Sequence, residues 1–167
     1  MLHVASPFVL EEPRDENELI RPAVDGTMAV MRACKAAGVQ RVSITSSVVS
    51  VYEMEPENEP EIFNESHWTD VNKRGLSAYA KSKVMAERAA WDFMEALPEG
   101  ERFGLTTVNP GFVAGPSLIK TDFASAEVIR LFMNGKLPGG CPVIQIPVVD
   151  VREVAQAHLQ CIKRDEA

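Results

Sequence analysis

Apolar positions along this chain change period several times, from short contiguous runs to helical spacings and back. Leu2 to Ala5 reads as the end of a buried strand. From Asn17 to Ala37, Leu19, Ala23, Val30, Ala33 and Ala37 recur at steps of three, four and seven, which predicts a helix. Gly38 is its C-terminal stop, and Pro22 predicts a kink or a later start. Arg41 to Ser46 is short and β-branched, a strand. Ser77 to Leu97 is the strongest helical segment, rich in Ala, Lys, Glu and Met, with Pro98 and Gly100 behind it. Leu105 to Val108 is a further strand, closed by Asn109-Pro110-Gly111. Asp122 to Met133 predicts a helix, Val143 to Ile146 a short strand, and Val151 to Ile162 an amphipathic helix. Glu11 to Glu18, with Pro13, and the glutamate-rich stretch Glu53 to Glu65 read as solvated loops.

Strands and helices therefore alternate. Short apolar strands joined by helical crossovers imply an α/β fold with a parallel sheet and helices on both faces. Ligands in such sheets sit at the carboxyl ends of strands. Three strand exits qualify here: Ala5-Ser6-Pro7, Ser46-Ser47 and Asn109-Pro110-Gly111.

A length of 167 residues fits one domain. The net charge of −7 argues against nucleic acid or an anionic membrane surface as partner. No segment approaches the roughly 18 consecutive apolar residues of a membrane span, and the first residues do not read as a signal peptide. Cys34, Cys141 and Cys161 form no CxxC pair, so a reduced, cytoplasmic setting is expected, with Cys34 as core filler. In that setting the acceptor pattern Asn64-Glu65-Ser66 would go unused. His3, His67 and His158 lack metal-ligand spacing, so no metal site is expected.

The candidate chemistry starts with Tyr79 and Lys83, four residues apart on one face of the strongest helix. A free phenol has a pKa near 10, and a neighbouring ammonium favours the phenolate. Lys83 is expected to draw Tyr79 down toward neutrality. The plainer reading of the pair is a half-buried tyrosine beside a solvated lysine. Ser47 follows a strand, where its hydroxyl could bind a substrate carbonyl oxygen, or could simply satisfy turn backbone groups. A hydroxyl donor, a phenol and a cation are together the parts needed to protonate a carbonyl during hydride transfer.

At this point the chain resembles the extended short-chain dehydrogenases/reductases, within them the dihydroflavonol reductase-like group. The resemblance rests on His3-Val4-Ala5-Ser6-Pro7, Pro22 to Thr27, Thr45-Ser46-Ser47, Glu65 to Asp70, Tyr79-Ala80-Lys81-Ser82-Lys83, Asn109 to Pro116 and Val149 to Ala155. It implies a Rossmann-like NAD(P)-binding domain and an NAD(P)H-dependent reductase of a ketone or aldehyde carbonyl, with NADP(H) favoured over NAD(H). It makes Tyr79 the general acid, Lys83 its electrostatic partner and the holder of the nicotinamide ribose, and Ser47 the binder of the reacting oxygen. Ala5, Ser6, Thr45 and Ser46 would line the cofactor, and Pro110, Gly111, Phe112 and Val113 would contact the nicotinamide carboxamide. Trp68 is expected to pack rather than touch substrate. The alternatives are a nucleotide-sugar epimerase or dehydratase, sharing the same three residues, and a non-catalytic remnant. A homodimer is in keeping with the family.

The chain departs from that family in lacking a GxxGxxG turn at a strand-to-helix junction. Two βαβ-type units would place about sixty or more residues ahead of Met1. Residues 1–167 are thus expected to be a partial domain with its N-terminal strands absent, and 117–147 the start of a substrate-binding lobe.

Overall fold

The computed structural model describes residues 1–9, 11–120, 124–136, 140 and 145–164. Strand β1 (Leu2–His3) pairs in parallel with β2 (Arg41–Thr45), and β2 pairs in parallel with β3 (Gly104–Val108). Helix α1 (Asn17–Ala36) carries the chain from β1 to β2, and α2 (Ala78–Ala96) from β2 to β3. A second parallel pair, β4 (Phe112–Ala114) with β5 (Val148–Asp150), is separated in sequence by a segment containing α3 (Ala124–Met133). Helix α4 (Val151–Lys163) follows β5 directly, with Asp150 capping it by accepting from the Arg152 N–H. The architecture is Rossmann-like α/β, as expected.

Alternation along β2 sorts the helices to two faces. Val42 and Ile44 point into the core with Met31 and Cys34 of α1 and Ala90 and Met94 of α2. Ser43 and Thr45 point the other way, where His158 of α4 reaches both hydroxyls at 2.7 Å. Small residues on the facing stripes of α1 and α2, Ala23 and Thr27 against Ala80, Ala86 and Ala90, are buried and let the two helices approach closely. Cys34 is core filler, as read from the sequence.

Helix α1 ends as expected at Gly38. That glycine has φ +64, and the Gly38 and Val39 N–H groups return to the Lys35 and Cys34 carbonyls. This is a Schellman closure, which the absence of a Cβ permits. Pro22 neither delays nor divides α1, which runs continuously through it from Asn17. The first turn is anchored ahead of the proline by the Asp15 and Glu16 carbonyls.

Other boundaries move. β1 covers only Leu2–His3 of the expected Leu2 to Ala5, because its pairing with β2 stops at the His3–Ile44 register. Of the strand expected over Val143 to Ile146, positions 143 and 144 lie outside the described residues. Gln145 to Pro147 is irregular, and the strand begins at Val148. Pro147 has no N–H for a ladder, although its carbonyl accepts from Phe112 at 2.7 Å. A Cβ on Gly111 would collide with that same Pro147 carbonyl, so glycine is needed there for backbone packing. Asp122 and Phe123, the expected start of α3, lie outside the described residues, as does Cys141.

Candidate active site

The exit of β2 is held from both sides. The Ser46 N–H donates to the Val108 carbonyl (2.8 Å) and the Val48 N–H to the Pro110 carbonyl (3.1 Å). Between them Ser47 is extended and caps a short 3-10 turn, Val48–Ser50, its hydroxyl accepting from the Val49 N–H at 3.4 Å. Thr69 then clamps the turn from outside. Its hydroxyl donates to the Val49 carbonyl (2.6 Å) and accepts from the Glu53 N–H (2.9 Å), while its N–H donates to the Ser50 carbonyl (2.9 Å). The Glu65 to Asp70 motif therefore acts through the serine-bearing loop. Trp68 packs under the Arg88 guanidinium, 4.9 Å from the ring centroid, and with Trp91 lines a cavity of about 240 Å³.

Helix α2 delivers the phenol and the ammonium. Ser77 caps it by accepting from the Ala80 N–H (3.1 Å), and Glu12 accepts from the Ala78 N–H (2.6 Å). A carboxylate at a helix N-terminus is favoured by the exposed N–H groups and the helix dipole. Tyr79 thus sits in the first turn, with the Phe8 ring standing edge-on against it at 5.0 Å. The Ser47 hydroxyl lies close enough to the Tyr79 phenol to act on its titration. Lys83, one turn on, is 7% exposed, with Nζ 5.8 Å from the Tyr79 ring centroid and 3.3 Å from the Thr45 carbonyl to which it donates. Lys81, on the other side of the helix, pairs instead with Glu16 at 2.6 Å.

Electrostatics here differ from the sequence expectation. Burial pushes the Tyr79 phenol up from its ordinary value, the neighbouring Ser47 hydroxyl pulls it back, and Tyr52 adds to the rise. The lysine does not lower it as expected: near neutrality the phenol keeps its proton. Burial instead falls on the ammonium, bringing Lys83 down to about 8, against an upward push from Glu87. Desolvation penalises whichever form is charged, and both groups shift in the direction that demands.

Of the residues singled out in the sequence, Ser47, Tyr79 and Lys83 come together. Ala5, Ser6, Thr45, Ser46 and Lys83 border one cleft at the ends of β1 and β2. Pro110 reaches the site through its carbonyl. Gly111, Phe112 and Val113 are not drawn into that cleft; Phe112 and Val113 are taken up by β4. Sequence reasoning missed Phe8, Tyr52, Glu87 and His158. For Glu87 a signal existed: it continues the Tyr79, Lys83 stripe by one more step of four.

These side chains fit the nicotinamide-ribose end of a dinucleotide. One N–H of Lys83 is spent on Thr45, leaving the ammonium able to serve ribose hydroxyls, and small residues at the strand ends allow close approach. The glycine-rich phosphate cradle is not in this chain.

Known proteins resemble this chain in sequence and in fold. The profile described as NAD dependent epimerase/dehydratase family matches residues 1–167. By sequence the chain is 34% identical to the NADPH-dependent methylglyoxal reductase GRE2 of Saccharomyces cerevisiae, over 99% of the chain and 53% of that protein. It is 36% identical to cinnamoyl-CoA reductase 1 of Petunia hybrida, over 100% and 48%. Among solved structures, yeast methylglyoxal/isovaleraldehyde reductase Gre2 complexed with NADPH superposes with a TM-score of 0.83 at 34% identity, covering 99% of this chain and 52% of that one. The chain spans about half the length of the curated relatives it matches.

Proposed function

The chain belongs to the NAD dependent epimerase/dehydratase family, the extended short-chain dehydrogenases/reductases, and from that premise we propose that the intact protein reduces a small ketone or aldehyde with NADPH. The observation that carries the proposal is the meeting of the Ser47 hydroxyl and the Tyr79 phenol above a buried Lys83, at the carboxyl ends of a parallel sheet. The names of the relatives support NADPH over NADH.

Each group then has a defined role. Ser47 donates a hydrogen bond to the carbonyl oxygen and orients it. Tyr79, protonated at neutral pH, gives its proton to that oxygen as negative charge develops. Lys83 stabilises the phenolate left behind and holds the ribose of the nucleotide. Held there, the reduced nicotinamide would supply the hydride to the carbonyl carbon. In the reverse direction Tyr79 is the base that takes the proton of a CH–OH group. A cavity of about 230 Å³ bordered by Val48, Tyr52, Phe63 and Pro147 lies beside the Ser47 turn and suits a small, partly apolar substrate. Residues 117–147 we assign to the start of the substrate lobe, in keeping with fully exposed Leu118 and largely exposed Met133. Free Cys34 and Cys161 accord with a cytoplasmic site of action. Among the described residues, no helix is long and apolar enough to cross a membrane.

Two outcomes test these roles. Ser47→Ala removes one preorganised donor to the reacting oxygen and is expected to lower kcat about a hundredfold, with little change in NADPH affinity by fluorescence titration. In the reducing direction both the Tyr79 proton and the Lys83 charge are needed. Because Lys83 loses its proton at about 8, kcat/KM is expected to stay level near neutrality and to fall above pH 8. NADPH consumption measured from roughly pH 6 to pH 10 reads this directly.

A further inference from the structure

We infer that Glu87 is a positioning residue of this site, a buried carboxylate that acts through space on the Lys83 ammonium one helical turn away and, through the Asn109 amide, fixes the strand exit bearing Ser47. The inference rests on the function proposed above and adds a fourth member to the Tyr79, Lys83, Ser47 group.

Tyr79, Lys83 and Glu87 follow one another at steps of four on α2, so their side chains form one stripe. Glu87 is 6% exposed, and carboxylates are almost never so buried unless paired. Its Oε2 accepts from the Asn109 amide at 3.0 Å, and the same amide nitrogen donates to the Ser47 carbonyl at 3.3 Å. Asn109 is the residue immediately after β3. One carboxylate is therefore tied to the loop that carries the hydroxyl and lies beside the cation one turn away. It also forms part of the wall of both the Lys83 cleft and the Trp68 cavity.

The other groups around Lys83 do not duplicate this. His3 of β1 has its ring pushed down by burial and by Lys83 itself, so it is neutral and adds no negative charge. Thr27 of α1 offers a neutral hydroxyl, 3.4 Å from the His3 ring nitrogen. Thr45 of β2 contributes its carbonyl. Tyr79 keeps its proton, with Tyr52 of the neighbouring loop acting on it. His67, Glu65 and Glu95 border the Trp68 cavity and not the Lys83 cleft. Glu87 supplies the negative charge that opposes the loss of the Lys83 proton on burial.

Glu87→Gln separates charge from shape, since the amide oxygen still accepts from Asn109. The readout is competitive acetylation of lysines with acetic anhydride across pH, quantified by mass spectrometry, in wild type and variant of the intact protein. The Lys83 labelling midpoint is expected to fall by about one pH unit in Glu87→Gln, while that of Lys81 stays put. The alkaline limb of kcat/KM should fall with it, and Glu87→Asp should recover part of the shift. A Lys83 midpoint unchanged in a folded Glu87→Gln overturns the inference. Should that variant fail to fold, wild type decides: the Glu87 carboxyl 13C resonance must move in the same pH step that titrates Lys83, and indifference to that step overturns it equally. NADPH oxidation that Tyr79→Phe abolishes reads the proposed function separately, so a failure of either claim is identified as its own.

Discussion

Replacing Tyr79 with phenylalanine is expected to lower carbonyl-dependent NADPH oxidation about a thousandfold while leaving NADPH binding within about twofold. The phenol carries a proton at neutral pH and lies beside the Ser47 hydroxyl, which acts on it. Phenylalanine keeps the ring that Phe8 packs against edge-on and that lies near Lys83, so the surroundings keep their shape. What disappears is the proton and its donor oxygen. Stopped-flow measurement of NADPH consumption beside fluorescence titration separates the two effects. Turnover retained within about tenfold of wild type would take Tyr79 out of the chemistry.

The second large effect is on stability. His158→Leu is expected to cost about 3 kcal/mol and lower the melting temperature by about 10 °C. His158 is 4% exposed and its two ring nitrogens lie 2.7 Å from the hydroxyls of Ser43 and Thr45, so it pins α4 to the middle strand. Leucine fills the space but leaves two hydroxyls facing an apolar wall. Ser43 is fully buried and has no water to turn to. The pH dependence has a definite sign. Burial lowers the His158 pKa below its ordinary 6.5, so the unfolded chain takes up a proton at a pH where the folded chain refuses it. Stability is therefore complete above 6.5 and is lost as pH falls through and below that value. His3, lowered for the same reason, adds in the same direction. Thermal melts at pH of about 7.5 and about 5.5 should show wild type losing stability on acidification, and His158→Leu losing less.

Helices α1 and α2 are where periodicity placed them, because each buries an apolar stripe and is bounded by local chemistry. Ser77 begins α2 and Gly38 ends α1, and both signals act over three or four residues. Strand limits were less legible, since they depend on partners remote in sequence. β1 stops where β2 stops pairing with it, and β5 starts after a proline whose carbonyl serves β4. Tyr79, Lys83 and Ser47 were legible as residue types at a spacing and at a strand end. Their charge states were not. Distance in sequence says nothing of how dry the cleft is, and dryness moves Lys83 down and Tyr79 up. The Asn109 bridge was hidden for a similar reason: it joins the exit of β3 to Ser47 at the exit of β2 and to Glu87 on the crossover helix between them. In the sequence His158 is only a histidine without metal-ligand spacing, and it is the register of β2 that brings two hydroxyls to it.

The most direct measurement is a crystal structure of the intact protein with NADPH and an unreactive ketone or alcohol held in the cleft. The proposed mechanism predicts the substrate oxygen within hydrogen-bond reach, roughly 3 Å, of both Ser47 Oγ and Tyr79 Oη, with Lys83 Nζ on the ribose. A substrate oxygen that contacts neither hydroxyl, or a ribose bound away from Lys83, would contradict it.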